Sequence, residues 1–105
     1  MVDFALRIIS RQRLKEFWSR NAGTSRAEGP LRAWYSEVKA ADWSSPANVR
    51  KRFASASVLK SGRVVFNFGG NKFRLVAAIN YAHRIVYVRF VGTHAEYDSI
   101  DAESV

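Results

Sequence analysis

The most regular alternation of hydrophobic and polar residues lies between residues 63 and 91. Three segments of this stretch, 63–68, 72–80 and 84–91, are rich in valine, isoleucine and aromatic residues, which favour strands. Between the first two segments, Gly70 and Asn71 tolerate the left-handed backbone of a tight hairpin turn. The pattern therefore predicts three consecutive antiparallel strands.

The turns predict which side chains share a face of this sheet. Two-residue turns at 70–71 and 82–83 place Asn67 opposite Arg74 and Val76 opposite Arg89. Because side chains alternate between the two faces of a strand, one face is wholly apolar and consists of Val64, Phe66, Phe68, Phe73, Leu75, Ala77, Ile79, Val86, Val88 and Phe90. The other face is mixed and consists of Arg63, Asn67, Arg74, Val76, Ala78, Asn80, Ile85, Tyr87, Arg89 and Val91.

Apolar residues recur at helical spacing twice in the first half of the chain. The two stripes consist of Leu14, Phe17 and Trp18, and of Leu31, Trp34, Tyr35, Val38 and Ala41. Ser10 is a candidate N-cap for a helix over 11–20, and Pro30 suits the first turn of the second helix. An apolar segment at 4–9 favours a strand that joins the sheet, and a further short turn is predicted through 45–53.

This order predicts an α+β fold in a single domain over residues 1–105. The helical stripes are expected to cover the apolar face of the sheet and to leave the Arg74 face partly open. We expect a cytoplasmic protein, since the sequence has neither a membrane-spanning apolar run nor a signal peptide. With no cysteine and only His83 and His94, we expect no metal and no cofactor.

Charge is distributed unevenly along the chain. The formal net charge is +8, from 17 lysines and arginines and nine acidic residues. All 17 basic residues and five of the acidic ones precede residue 91, whereas the last 15 residues carry only acidic charges. This imbalance favours a polyanionic partner, and together with aromatic residues on the mixed face it indicates a nucleic acid. The alternative is a basic charge that serves solubility alone.

A short helix is predicted to follow the third strand. Thr93 and Glu96 have the spacing of a capping box, in which each side chain satisfies the other residue's backbone amide. His94 would then lie in the first helical turn, and Tyr97, three residues later, would share its side. Glu96 is interpreted as a cap rather than a catalytic residue.

The sequence resembles the HigB branch of the RelE/ParE-like toxins of bacterial toxin-antitoxin systems. The resemblance lies in NKFRLV at 71–76 and VRFVGTHAEYDSID at 88–101, and also in residues 8–10, 31–35 and 41–43. It implies a helix-covered sheet whose uncovered concave face binds RNA. It also implies a ribosome-dependent mRNA endonuclease that is inactivated by a helix-turn-helix antitoxin, HigA, with operator DNA bound only through the toxin-antitoxin complex. The catalytic His and Tyr of the family correspond to His94 and Tyr97, and its strand arginine to Arg74.

These residues can cleave RNA without a metal, because RNA carries its own nucleophile in the 2′-hydroxyl. Such cleavage needs a proton acceptor, cations for the phosphorane charge and a proton for the leaving oxygen. His94 can serve in either proton transfer. Arg74 and then Arg89 are the candidates for the phosphate, with Lys72 as additional charge stabilisation, and Tyr97 orients the nucleophile or stacks on a base.

Each assignment has an alternative. The alternative for His94 is a helix-start residue with a satisfied side chain. The alternative for Arg74 is a bond to the acidic C-terminal tail alone, and that for Arg89 is a structural strut that holds the C-terminal segment. Further candidates for RNA contact are Arg63, Asn67, Asn71, Tyr87, Arg50, Lys51 and Arg52. For the cluster at 50–52 the alternative is an ordinary solvated face.

Two other functions fit the same composition. A ParE-like protein would inhibit DNA gyrase without cutting RNA, and its architecture would be the same. A non-catalytic RNA-binding module would show salt-dependent binding but no cleavage. The proximity of His94 to Tyr97 favours nuclease chemistry over both.

Overall fold

A computed structural model describes residues 6–105. The elements in chain order are β1 (Arg7–Ile9), α1 (Arg11–Trp18), a 3-10 turn (Thr24–Ala27), α2 (Glu28–Ala40), α3 (Pro46–Arg52), β2 (Ser57–Val58), a second 3-10 turn (Lys60–Gly62), β3 (Arg63–Phe68), β4 (Phe73–Asn80), β5 (Ile85–Thr93) and α4 (His94–Asp98). The predicted α+β class is confirmed. Of the predicted first strand, residues 4 and 5 lie outside the described residues.

The five strands form one sheet in the order β1-β5-β4-β3-β2. The sheet is mixed and not antiparallel throughout, because β1 pairs with β5 in parallel while the other neighbours are antiparallel. The short strand β2 was not predicted, since two residues carry no detectable alternation. Along residues 6–105, no helix has the length and apolar character needed to cross a membrane.

Local signals determine where the helices begin. The Ser10 side chain accepts a hydrogen bond of 3.2 Å from the backbone N–H of Gln12, which confirms it as the N-cap of α1. Helix α2 begins at Glu28, two residues before Pro30, so that the proline lies in the first turn. The buried residues of both helices come from the predicted stripes: Leu14, Phe17, Trp18, Leu31, Trp34 and Val38.

The helices and the apolar face of the sheet enclose the main core. Phe66 lies at its centre, with ring centroids 5.4 Å from Trp34 and 5.3 Å from Phe53, both in edge-on geometry. Such edge-on aromatic pairs contribute roughly 0.5–1.5 kcal/mol each beyond burial of their area. This core supports the sheet from one side, and the mixed face with Arg74 lies on the other side.

The strand register confirms one predicted pairing and corrects another. Asn67 lies opposite Arg74 as predicted. Val76, however, pairs with Phe90 and Ala77 with Val88, so Arg89 is an extra residue in a β-bulge and Val76 does not lie opposite it. The bulge moves Phe90 to the face of Val76.

The Arg74 face is partly open, as expected, and the part that is covered is covered by the C-terminal segment rather than by the helices α1 and α2. After α4 the chain turns back over the sheet, and a second cluster forms in which Val65, Val76 and Ala102 are buried and Leu59, Phe90, Tyr97, Ile100 and Val105 pack around them. The Arg63 guanidinium anchors this segment by donating from Nη2 and Nε to the carbonyl oxygen of Val105, at 2.7 and 3.1 Å. Arg74, beyond the edge of this cluster, stays partly exposed.

Candidate active site

Helix α4 is held at its first turn by the predicted capping box. The Thr93 hydroxyl accepts from the backbone N–H of Glu96 at 3.2 Å, and Glu96 Oε1 accepts from the backbone N–H of Thr93 at 3.0 Å. The Arg20 guanidinium at the end of α1 donates to both oxygens of the same carboxylate at 2.8–3.1 Å. Glu96 therefore caps α4, as the sequence predicted. Through Arg20 it also joins α4 to the residues that follow α1, which the sequence did not predict.

The β3–β4 hairpin holds the other side of α4. The backbone N–H of His94 donates to the carbonyl oxygen of Lys72 at 2.9 Å, which continues the pairing of Phe73 with Thr93. His94 and Lys72 are thereby neighbours, as proposed from the sequence. The backbone at His94 is fixed, and only its ring remains to be oriented.

Arg74 and Tyr97 form the centre of the site. The Arg74 Cζ atom lies 5.7 Å from the centroid of the Tyr97 ring, a cation–π arrangement. Its Nη1 donates to the carbonyl oxygen of Asn71 at 2.7 Å. The Tyr97 ring also packs against Phe90, with centroids 6.5 Å apart. The strand partner of Arg74 is Gly92, which places no side chain between the guanidinium and α4.

His94 has a carboxylate partner that sequence reasoning did not assign. Its Nδ1 atom lies 3.2 Å from Oδ2 of Asp98, one helical turn later, and both side chains are more than half exposed. From the sequence alone, Asp98, Asp101 and Glu103 are interpreted as a solvated acidic tail, with pairing to nearby basic residues as the alternative. The i,i+4 spacing on a predicted helix was the signal that could have identified the pair.

Arg74 and Arg89 lie over different aromatic rings, and the contacts of the described residues do not join the two guanidinium groups. The Arg89 Cζ atom lies 5.2 Å from the centroid of the Tyr87 ring, and its carbonyl oxygen accepts from Nη1 of Arg13 at 3.1 Å. The bulge is the physical reason: it places Phe90 between the middle of β5 and the Tyr97 ring. Arg89, which is exposed, and Tyr87, which is half-buried, form a separate pair.

Three predicted RNA contacts already have partners within the protein. Arg63 binds the Val105 carbonyl oxygen, and Asn67 donates from Nδ2 to the carbonyl oxygen of Ser55 at 3.3 Å. Asn71 has a φ of 72° in the hairpin turn, and its carbonyl oxygen holds Arg74. These residues shape the site through their own contacts.

The basic cluster lies on α3. Arg52 forms an ion pair with Glu37 of α2. Arg50 and Lys51 are exposed and form no ion pair with any residue between 6 and 105. Two of the three basic residues of this cluster, Arg50 and Lys51, are thus free to contact a polyanion.

Two grooves flank the site on the side of α1, and both contain basic residues that the sequence did not single out. One, of about 420 Å³, lies between the first 3-10 turn and the start of β4 and is lined by residues that include Arg20, Arg26 and Lys72. The other, of about 260 Å³, is lined by Arg13, Arg20 and Arg89 among others. Arg20, paired with Glu96, separates the two grooves.

Within the described part of the chain, no three His, Cys, Asp or Glu side chains converge as the ligands of a metal would. Around α4 lie the Arg74 guanidinium over the Tyr97 phenol ring, the His94 imidazole with the Asp98 carboxylate, and the backbone of Lys72 beside His94. Such a set can bind a phosphate and transfer a proton.

Comparison with known proteins gives two matches. Residues 27–100 match the family described as "HigB_toxin, RelE-like toxic component of a toxin-antitoxin system". Over 72 residues, the chain is 32% identical to "mRNA interferase HigB" of Escherichia coli O6:H1 strain CFT073, which covers 67% of this chain and 70% of that protein. The matched family region contains Lys72, Arg74, His94 and Tyr97.

Proposed function

The chain belongs to the HigB family of RelE-like toxins, and from this premise we propose that it is an endoribonuclease that cleaves messenger RNA on the ribosome and so stops translation. The observation that carries the proposal is the position of the Arg74 guanidinium against Tyr97, beside the helix that begins at His94. A related HigB protein bears the name mRNA interferase.

The proposed reaction is an attack of the ribose 2′-oxygen on the adjacent phosphorus, with loss of the 5′-oxygen. Arg74 binds the non-bridging oxygens of the scissile phosphate, for which its planar fork is suited. Lys72 adds positive charge as the phosphorane forms. His94 takes part in proton transfer, and the Tyr97 ring holds Arg74 in place and stacks on a base. The products are a cyclic phosphate and a free 5′-hydroxyl.

Dependence on the ribosome follows from how little of the site is preorganised. His94 and its carboxylate are exposed, and Arg74 does not line either of the two grooves that flank the site. Positioning of two reacting groups can contribute about 7–11 kcal/mol to lowering a barrier. We infer that the decoding site of the ribosome supplies much of this positioning by holding the codon.

As the toxic component of a toxin-antitoxin system, the protein has an antitoxin as a partner and messenger RNA as its substrate. We further propose a HigA-like helix-turn-helix antitoxin, with operator DNA contacted only through the complex of the two proteins. Action on ribosomes places the protein in the cytoplasm. Arg50 and Lys51 on α3 and the basic residues of the two grooves are candidates for contact with ribosomal or messenger RNA.

Expression of His94→Ala and Arg74→Ala variants tests the proposal. Both are expected to abolish growth arrest and to remove new 5′ ends in primer extension of cellular messages, with circular dichroism spectra unchanged. His83→Ala and Arg32→Ala are matched controls, since His83 is exposed in a turn and Arg32 pairs with Glu28 on α2. Full toxicity of both site variants would refute the assignment, and inhibition of gyrase supercoiling by the purified protein would refute the nuclease.

A further inference from the structure

In the exposed pair formed by His94 and Asp98, one particular nitrogen of the imidazole ring faces the carboxylate. The carboxylate meets Nδ1 of the imidazole, at 3.2 Å, and not Nε2. A carboxylate is an acceptor only, so a hydrogen bond between these two atoms requires the hydrogen to be on Nδ1 of the histidine. The neutral ring with its hydrogen on Nδ1 has its free lone pair on Nε2.

Asp98 is not explained by the stability of its own helix. It is the last residue of α4, where the helix dipole makes a negative charge unfavourable. It forms no ion pair with a lysine or arginine among residues 6–105. Its contact with a titratable side chain is the one with His94, and a residue that departs from a local rule of helix stability is expected at functional positions.

The neighbouring carboxylates are engaged elsewhere. Both oxygens of Glu96 bind Arg20, and Oε1 also accepts the backbone N–H of Thr93. Asp101 Oδ1 accepts the backbone N–H of Glu103 at 3.0 Å. Of the acidic residues around α4, Asp98 is therefore the one placed against the imidazole.

We propose that Asp98 is a positioning residue that holds His94 in the Nδ1–H tautomer and thereby makes Nε2 the proton acceptor of the reaction. This inference rests on the proposed function and adds to it a division of roles that the sequence left open. The backbone of His94 is already fixed by the capping box and by the Lys72 carbonyl oxygen. The Asp98 contact favours one orientation of the ring, and the exposure of both side chains leaves the rest of the site to be ordered by the bound message.

In the proposed step, the 2′-hydroxyl proton passes to Nε2 as the 2′-oxygen forms its bond to phosphorus. The bond from phosphorus to the 5′-oxygen breaks, and the 5′-oxygen takes a proton from solvent water. His94 becomes an imidazolium that faces a carboxylate on Nδ1, and it returns its proton to solvent afterwards. A buried carboxylate that orients a histidine in this way is well known from the serine protease triad, and here the pair is exposed, so a smaller effect is expected.

The tautomer can be measured without any assay of RNA cleavage. Long-range proton–nitrogen NMR spectra of the ¹⁵N-labelled protein, at a pH of about 8.5 where histidine in model peptides is neutral, distinguish the two tautomers of each imidazole. The chain has only two histidines, and His83 serves as the internal reference. We expect His94 to be mainly Nδ1–H in the wild type and to lose this preference in Asp98→Ala, while His83 stays unchanged.

Activity is measured with Asp98→Ala and Asp98→Asn on ribosomes carrying a defined message. Alanine is expected to lower kcat about tenfold with KM little changed, as for loss of one charge-assisted hydrogen bond. Asparagine keeps an acceptor without the charge and is expected to fall between wild type and alanine. If Asp98 only stabilised the fold, kcat would not fall from wild type through asparagine to alanine while the tautomer of His94 also changed.

Two results would overturn the inference. One is a His94 tautomer that is the same in wild type and Asp98→Ala; the other is a changed tautomer with an unchanged kcat, which would leave the nuclease intact and remove the role of Asp98. Failure of the proposed function is seen separately, as an absence of message cleavage by the wild-type protein. In that case the positioning role falls with it, whatever the tautomer.

Discussion

Arg20 and Glu96 are joined by a bidentate ion pair, with three donor–acceptor distances between 2.8 and 3.1 Å, although 76 residues separate them in the chain. The pair connects the end of α1 to the capping box that begins α4. Because Glu96 also accepts a hydrogen bond from the Thr93 backbone N–H, Arg20 is linked through Glu96 to the residue that precedes His94. The placement of the candidate active site thus depends on the N-terminal helix.

Replacement of Arg20 by alanine is expected to lower message cleavage several-fold while it costs at most about 1 kcal/mol of stability. The stability effect is small because both side chains are 41% exposed, and exposed ion pairs contribute roughly 0–1 kcal/mol. Urea unfolding and cleavage on programmed ribosomes measure the two effects. Arg32→Ala removes a similar pair on α2, between Arg32 and Glu28, and should leave cleavage unchanged. Equal losses of cleavage in both variants would contradict the link to α4.

Gly92 is expected to tolerate no side chain. A Cβ atom there would lie 2.5 Å from the Phe90 ring and 3.2 Å from Glu96 Oε1. We expect Gly92→Ala to destabilise the protein by about 1–3 kcal/mol, as overpacking does, and to displace the Phe90 and Tyr97 rings. Gly29→Ala is the matched control, because nothing lies within 4 Å of its Cβ position in α2. That substitution should stabilise the protein by about 0.5–1 kcal/mol. Denaturant midpoints of the two variants should therefore move in opposite directions.

Much of the fold could be predicted from the sequence because local chemistry and hydrophobic pattern agree. Gly70 and Asn71 adopt φ values of 62° and 72°, and this turn gives the predicted pairing of Asn67 with Arg74. The bulge at Arg89 could not be predicted. Phe90 and Val91 are both apolar, so a change of face at this point leaves no trace in the pattern.

The C-terminal segment shows a second limit of sequence reasoning. Its acidic residues dominated the interpretation, and a solvated tail was expected. Ile100, Ala102 and Val105 nevertheless pack on the sheet, and long-range packing of such scattered residues depends on where the chain returns. In the candidate site, the spacing of Thr93 and Glu96 was enough to predict the capping box. Which nitrogen of His94 faces Asp98 could be learned only from the positions of the side chains.

Tyr81 is expected to make stability depend on alkaline pH. Burial raises the pKa of Tyr81, and within the described residues its hydroxyl is buried without a hydrogen-bond partner. Because the pKa of Tyr81 is higher in the folded state, the protein keeps its full stability below about pH 10, the ordinary pKa of tyrosine. The protein loses stability as the pH rises through the pKa of Tyr81 in the folded state. Tyr81→Phe should be neutral or stabilising by about 1 kcal/mol at pH 7, with an advantage that grows above pH 10. Urea titrations at pH 7 and pH 10.5 measure this difference. An advantage that shrinks with rising pH would contradict it.

Tyr97 and Tyr87 form a matched pair, since an arginine lies over each ring, at 5.7 and 5.2 Å respectively. We expect the Tyr97 ring, more than its hydroxyl, to matter for cleavage, because the ring supports Arg74 on one side and packs on Phe90 on the other. Tyr97→Phe should then retain activity within a few-fold.

Tyr97→Leu removes the aromatic face and should lower cleavage at least tenfold, because Arg74 loses a cation–π contact of about 0.5–1 kcal/mol and a base loses a stacking surface of about 1–3 kcal/mol. Tyr87→Leu makes the same change beside Arg89, away from His94, and should have little effect. Single-turnover cleavage of a ribosome-bound message compares the three variants. If Tyr97→Phe is as inactive as Tyr97→Leu, the hydroxyl and not the ring is required for cleavage. Tyr97 would then be one of the groups that transfer or orient a proton.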